Sequence, residues 1–146
     1  MTNYVILALI AGAALPVQIG INAALAKYMD SSIGSATVSF ALGTVALAAY
    51  FLITRQVLPT GAAMQSLPWW TLTGGALGAF YVAATIIAAP QIGAALLVSL
   101  VIAGQIVISL ILDHYGVAGF PENSITLGKA IGALLVFAGV VLVKQS

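Results

Sequence analysis

The chain has 146 residues, of which 62% are hydrophobic and only 5% charged; its formal net charge is +1 and it has no cysteine. A soluble domain carries about 25% charged residues, so this composition excludes a water-soluble globular protein and implies an all-α integral membrane protein. The missing cysteines exclude a disulfide framework or thiolate–metal site, and the small net charge provides no basic footprint for nucleic acid.

A helix needs about 20 predominantly apolar residues to cross a bilayer. Five segments reach that length, at about 4–26, 32–54, 69–89, 93–112 and 127–143, and they fill the chain as a single domain over 1–146. The first ends in Ala24-Leu25-Ala26, which has the form of a cleavage site, but Met1-Thr2-Asn3 supplies no Lys or Arg ahead of it. It is expected to remain as a spanning helix. Its middle holds Pro16, which has no N–H and whose ring clashes with the carbonyl of Gly12 four residues earlier. Pro16 is the expected hinge. Just beyond it, Gln18 and Asn22 are spaced i, i+4 and so share one helical face. An amide left unpaired in hydrocarbon costs about 4–8 kcal/mol on a cyclohexane reference, so these two need a partner helix, water or a ligand.

The second segment ends at Arg55, and a longer loop with Pro59, Gly61 and Pro68 leads to Trp69 and Trp70. Paired tryptophans at a span boundary fit an interfacial aromatic belt. From Trp69 to Leu112 a continuous helix would measure about 66 Å, twice what a bilayer accepts. Pro90-Gln91-Ile92-Gly93 is therefore expected to be a tight turn between the third and fourth spans. In the third, Gly74, Gly78, Tyr81 and Thr85 form one stripe at i, i+4, i+7 and i+11; in the fourth, Gln105 and Ser109 are again i, i+4. Gln18, Tyr81 and Gln105 fall at similar depth near the bilayer midplane. They either line a shared cavity or bond to one another as glue, a modest reward of about 0.6 kcal/mol per interhelical bond. Gly74 and Gly78, and Gly128, Gly132 and Gly139 in the last span, suit close helix packing within the subunit or across a dimer contact.

Asp113 and His114 close the fourth span. Either they end the helix in water, Asp113 pairing with Lys129, or they form a gate or proton site at a cavity mouth. Thr126 is the expected N-cap of the last span. No span carries an ionisable group at its centre, where proton-driven pumps usually place one. With a single His, no metal-ligand cluster, no Ser-His-Asp set at one depth and no phosphate-binding glycine loop, the sequence implies no enzyme, no catalytic residue, no metal and no cofactor.

Five spans place the two ends of this sequence on opposite sides. Arg55 and Lys129 then share one side, and Lys27 and Lys144 the other. Two against two gives no positive-inside preference. The balance reflects either the scarcity of charge or a dual topology, in which chains insert both ways and pair antiparallel.

Several stretches together resemble the bacterial YdcZ-like family: residues 16–25, Pro68-Trp69-Trp70, residues 74–82, Gly93-Ala94-Ala95, Ala103-Gly104-Gln105 and Leu112-Asp113-His114-Tyr115-Gly116, with residues 132–142 similar to the closing helix of drug/metabolite transporters. The resemblance implies a multi-pass protein of the bacterial inner membrane with the five-span, half-size architecture of that superfamily. Such a chain is one inverted-repeat half of a ten-helix transporter, completed by an identical or paralogous antiparallel partner. Small multidrug exporters of the superfamily use a membrane-embedded Glu in the first helix, where this sequence has Gln18 and Asn22. Expected substrate-binding residues are Gln18, Asn22, Tyr81, Gln105, Thr85 and Ser109, facing a small polar or amphipathic solute. The alternative is a non-transporting membrane subunit that assembles with another membrane protein.

Overall fold

A computed structural model describes residues 2–58 and 60–146, without the side chains at 62 and 63; Pro59, expected as a loop breaker, lies outside the described residues. Every regular element among them is helical. The long ones are α1 (Thr2–Met29), α2 (Ser32–Ile53), α4 (Thr73–Ile92), α5 (Ala94–Tyr115) and α6 (Leu127–Gln145), with a short α3 (Gly61–Gln65) and a 3-10 turn (Trp69–Leu72) before α4. Five helices, counting the 3-10 turn with α4, have the length and apolarity to cross a membrane. The fold is the expected all-α, five-span one.

The chain divides into two compact units, Met1–Gln91 and Ile92–Ser146. In the first, α1 and α2 form a helical hairpin. Its connection is only Asp30 and Ser31, and Asp30 adopts a left-handed φ of 49°, a conformation that Asp tolerates better than most residues. The Ser31 N–H donates to the Ala26 carbonyl at 3.1 Å, and the Ser31 hydroxyl caps α2 by accepting from the Gly34 N–H at 2.9 Å. One turn into α2, Ser35 is fully buried and donates to the backbone carbonyl of Asn22 at 2.7 Å. This bond fixes the register of the hairpin. Ala36 of α2 packs with Val82 and Ile86 of α4, and Ala26, Tyr81 and Ala83 surround them. Gly78 of α4 leaves room for the Phe40 ring: a Cβ there would lie 3.5 Å from its Cζ. Since lipid is as apolar as leucine, such contacts hold helices together by close packing rather than by hydrophobic expulsion.

The second unit is α5 packed on α6. Gly116 ends α5 in the left-handed conformation, with its N–H donating to the Asp113 carbonyl at 3.3 Å and that of Val117 to the Leu112 carbonyl at 3.2 Å. The loop then folds back, the Asn123 N–H donating to the same Asp113 carbonyl at 2.7 Å. The Thr126 hydroxyl accepts from the Lys129 N–H at 3.3 Å, as expected of an N-cap.

Two boundaries differ from the sequence expectation. The turn over residues 90–93 contracts to Gly93 alone, because α4 continues through Pro90 to Ile92. Proline withholds one N–H but does not by itself reverse a chain. Gly93, at φ 78° and ψ 160°, occupies backbone space essentially closed to other residues and makes the break. Residues 69–72 open the third span as a 3-10 turn rather than an α-helix. The ends of α1, α4, α5 and α6 also run beyond the expected spans, α1 by about a turn into Lys27, Tyr28 and Met29.

Candidate functional site

Pro16 lies inside α1 without ending it. The buried residues of α1 are Ile19 and Asn22, both beyond Pro16. Gln18, four residues before Asn22, faces outward. The two amides share a groove of about 370 Å³ between α1 and α2, whose other walls are mainly apolar apart from Ser39. The Asn22 side chain is the telling member. The residue is 5% exposed, yet its carboxamide makes no hydrogen bond among the described residues; only its backbone carbonyl is engaged, by Ser35.

On α4, Tyr81 is half-buried and its hydroxyl is fully enclosed without a hydrogen-bond partner among the described residues. Thr85 is buried and donates back to the Val82 carbonyl at 2.9 Å. Its proton is committed, and only its lone pairs remain for a ligand. Tyr81 and Thr85 share a helix but do not line the Gln18–Asn22 groove. A larger groove of about 550 Å³ between α2 and α4 is walled by apolar residues and by Thr37, whose hydroxyl is bonded to the Ile33 carbonyl at 2.9 Å. It offers packing space and little polar recognition.

Apart from Gly74, the remaining expected residues belong to the second unit. Gln105 faces outward without a hydrogen bond among the described residues, and Ser109, also outward, donates to the Ile106 carbonyl at 3.0 Å. Asp113 and Lys129 lie 3.9 Å apart, both partly exposed, and Lys129 Nζ also donates to the Asn123 and Ser124 carbonyls at 3.0 and 3.2 Å. His114 sits edge-on to Tyr115 at 4.9 Å, and its Nδ1 is buried without a partner among the described residues. A side chain at Gly74, Gly132 or Gly139 would meet open space, and one at Gly128 only the Thr126 hydroxyl at 3.9 Å. Among the described residues no three His, Asp or Glu side chains gather to hold a metal ion.

Ser35 and Ser39 are the functional-face residues that sequence reasoning passed over. The available signal was the small-residue run Ser32, Gly34, Ser35 and Ala36 directly after a tight turn, which marks close helix approach.

A family model described as "Putative inner membrane exporter, YdcZ" matches residues 3–142. The chain belongs to this family. It is similar to the inner membrane protein YdcZ of Escherichia coli K12, at 35% identity over 85 residues. That match takes in 58% of this chain and 56% of the relative, so the chain spans little more than half the length of the curated protein it matches. No solved structure matches. Membership in the family and the five spanning helices make this a multi-pass inner-membrane protein, and the family description points to a membrane transporter rather than an enzyme.

Proposed function

We propose that this chain is a small transporter of the inner membrane that moves a small polar or amphipathic solute as an antiparallel dimer, by alternating access of its two halves. The observation that carries this reading is the Asn22 carboxamide, which belongs to a residue only 5% exposed, lines the groove beside Gln18 and has no hydrogen bond among the described residues. Its amide atoms open to the groove rather than being sealed by protein, and left without a partner in apolar surroundings such a group costs about 1–3 kcal/mol. Its retention makes sense where a solute or water completes it. The enclosed, unpartnered hydroxyl of Tyr81 supports the same reading from α4. Thr85, Gln105 and Ser109 complete the proposed lining, with Pro16 as hinge, Asp113 and His114 as gate or interfacial groups, and Gly74, Gly78, Gly128, Gly132 and Gly139 as packing or dimer positions. Neutral amides and a phenol favour a solute without strong net charge, bound without titration of the site. The partner is a second, inverted copy or a paralogous half; the balanced basic residues support an orientation without preference.

The chain has no cysteine, so cysteines introduced at 18, 22, 81 and 105 report on a clean background. Reaction of all four with a water-soluble maleimide in intact membranes is expected, as is loss of transport in Gln18→Leu with dimerisation kept. Uniform protection would overturn the reading in favour of a dry, packed membrane subunit. C-terminal reporters active on both sides of the membrane are expected; activity on one side only removes the identical antiparallel pair.

A further inference from the structure

A third depression, separate from both grooves above, lies where the end of α1 and the start of α2 meet the end of α4. It has a volume of about 390 Å³, within the range of small-ligand sites. Its polar wall is Lys27, Asp30, Ser32 and Gln91, and Ile87 and Pro90 contribute apolar surface. Lys27 and Asp30 carry opposite formal charges three residues apart, a spacing that normally pairs them on a helix. They do not pair here. Asp30 lies beyond the last helical residue, and its φ of 49° takes it off the track that Lys27 follows. Neither side chain has an ion pair or hydrogen bond among the described residues. Pro90 adds a further feature, since it withholds the N–H that the carbonyl of Ile86, also in the lining, would otherwise accept. The cavity thus presents an uncommitted cation, an uncommitted anion and an amide over an apolar floor at the end of three spanning helices.

We propose that this depression binds a zwitterionic amphiphile, with its ammonium group on Asp30, its phosphate or carboxylate on Lys27, and its apolar part against Ile87 and Pro90. A purely anionic ligand would leave Asp30 facing like charge, and a purely cationic one would do the same to Lys27. The site does not depend on the transport reading above. The same chemistry is available from an aminophospholipid headgroup or from a free amphipathic zwitterion.

The test is a titration of the detergent-solubilised full chain, followed by native mass spectrometry. The probes are phosphatidylethanolamine, phosphatidylglycerol and the water-soluble hexylphosphoethanolamine. Saturable binding of at least one phosphoethanolamine probe is expected, tenfold or more tighter than phosphatidylglycerol. Saturation by phosphatidylethanolamine assigns the site to the lipid; saturation by the soluble probe alone assigns it to a free solute. Lys27→Gln and Asp30→Asn are each expected to weaken that binding at least tenfold. Asp30→Gly, which suits the left-handed backbone at this position, provides a second variant that retains the turn and is expected to show the same loss. Equal binding of phosphatidylglycerol, no binding of either phosphoethanolamine, or unchanged binding in the folded variants would overturn the proposal.

Discussion

Tyr81→Phe separates stability from function at the proposed site. The change removes one oxygen and leaves the ring packed against the Ala36, Val82 and Ile86 cluster. Because that oxygen is enclosed and unpartnered, the wild-type protein bears the desolvation of a hydroxyl without the return of a hydrogen bond. Such burial costs about 1–3 kcal/mol in proteins. The lower end applies here, since a membrane protein's unfolded state resides in the same lipid and finds partners of its own. Tyr81→Phe is therefore expected to stabilise the unliganded protein by about 1 kcal/mol, roughly a fivefold gain in the folded-to-unfolded ratio. Transport or solute binding should fall in the same variant. Titration with dodecyl sulfate, followed by the fluorescence of Trp69 and Trp70 ahead of α4, measures the first quantity. A loss of about 1 kcal/mol would show that the hydroxyl already has a partner in the assembled protein, and the reasoning would fail.

Other substitutions address the scaffold. Ser35→Ala removes the 2.7 Å bond between α1 and α2 and is expected to cost about 0.6 kcal/mol, at most about 1.7, in the same titration. Gly78→Ala places a methyl in ordinary contact with Phe40 and should be neutral, whereas Gly78→Leu should destabilise by about 1–3 kcal/mol as the ring is displaced. Gly93→Ala forces a side chain onto a φ of 78° and should cost about 1–3 kcal/mol. Lys129→Met removes a half-exposed ion pair of small worth, about 0–1 kcal/mol, together with two carbonyl contacts. Faster amide exchange across residues 117–126, with little change in global unfolding, is the expected signature.

The spans were readable because a bilayer imposes one length on each crossing, and that length is written directly into the hydropathy of the chain. The Thr126 cap was readable for a local reason, as it involves residues at one helix end, whereas the Asp113–Lys129 pair was one of two roles the sequence left open for Asp113. The turn at residues 90–93 was misjudged in extent because Pro90 is the louder signal, while the chain breaks where only Gly93 can adopt the backbone required. The depression around Lys27 and Asp30 was not legible. Their spacing suggests a routine helical pair, and only the left-handed φ of Asp30 separates them. The candidate groove was half legible. The i, i+4 spacing placed Gln18 and Asn22 on one face, but helices apolar on every side do not disclose which face meets a neighbour. Asn22 proved buried and Gln18 exposed, a difference set by the approach of Ser35 from α2 rather than by anything within α1.

The two-residue turn between α1 and α2 has an electrical consequence. Its tip carries Lys27 and Asp30, one positive and one negative group, and therefore no net charge. Moving a unit charge through a membrane potential of 100 mV takes about 2.3 kcal/mol. A hairpin whose tip sums to zero does no such work in either direction. The potential across the inner membrane therefore exerts no net pull on this turn.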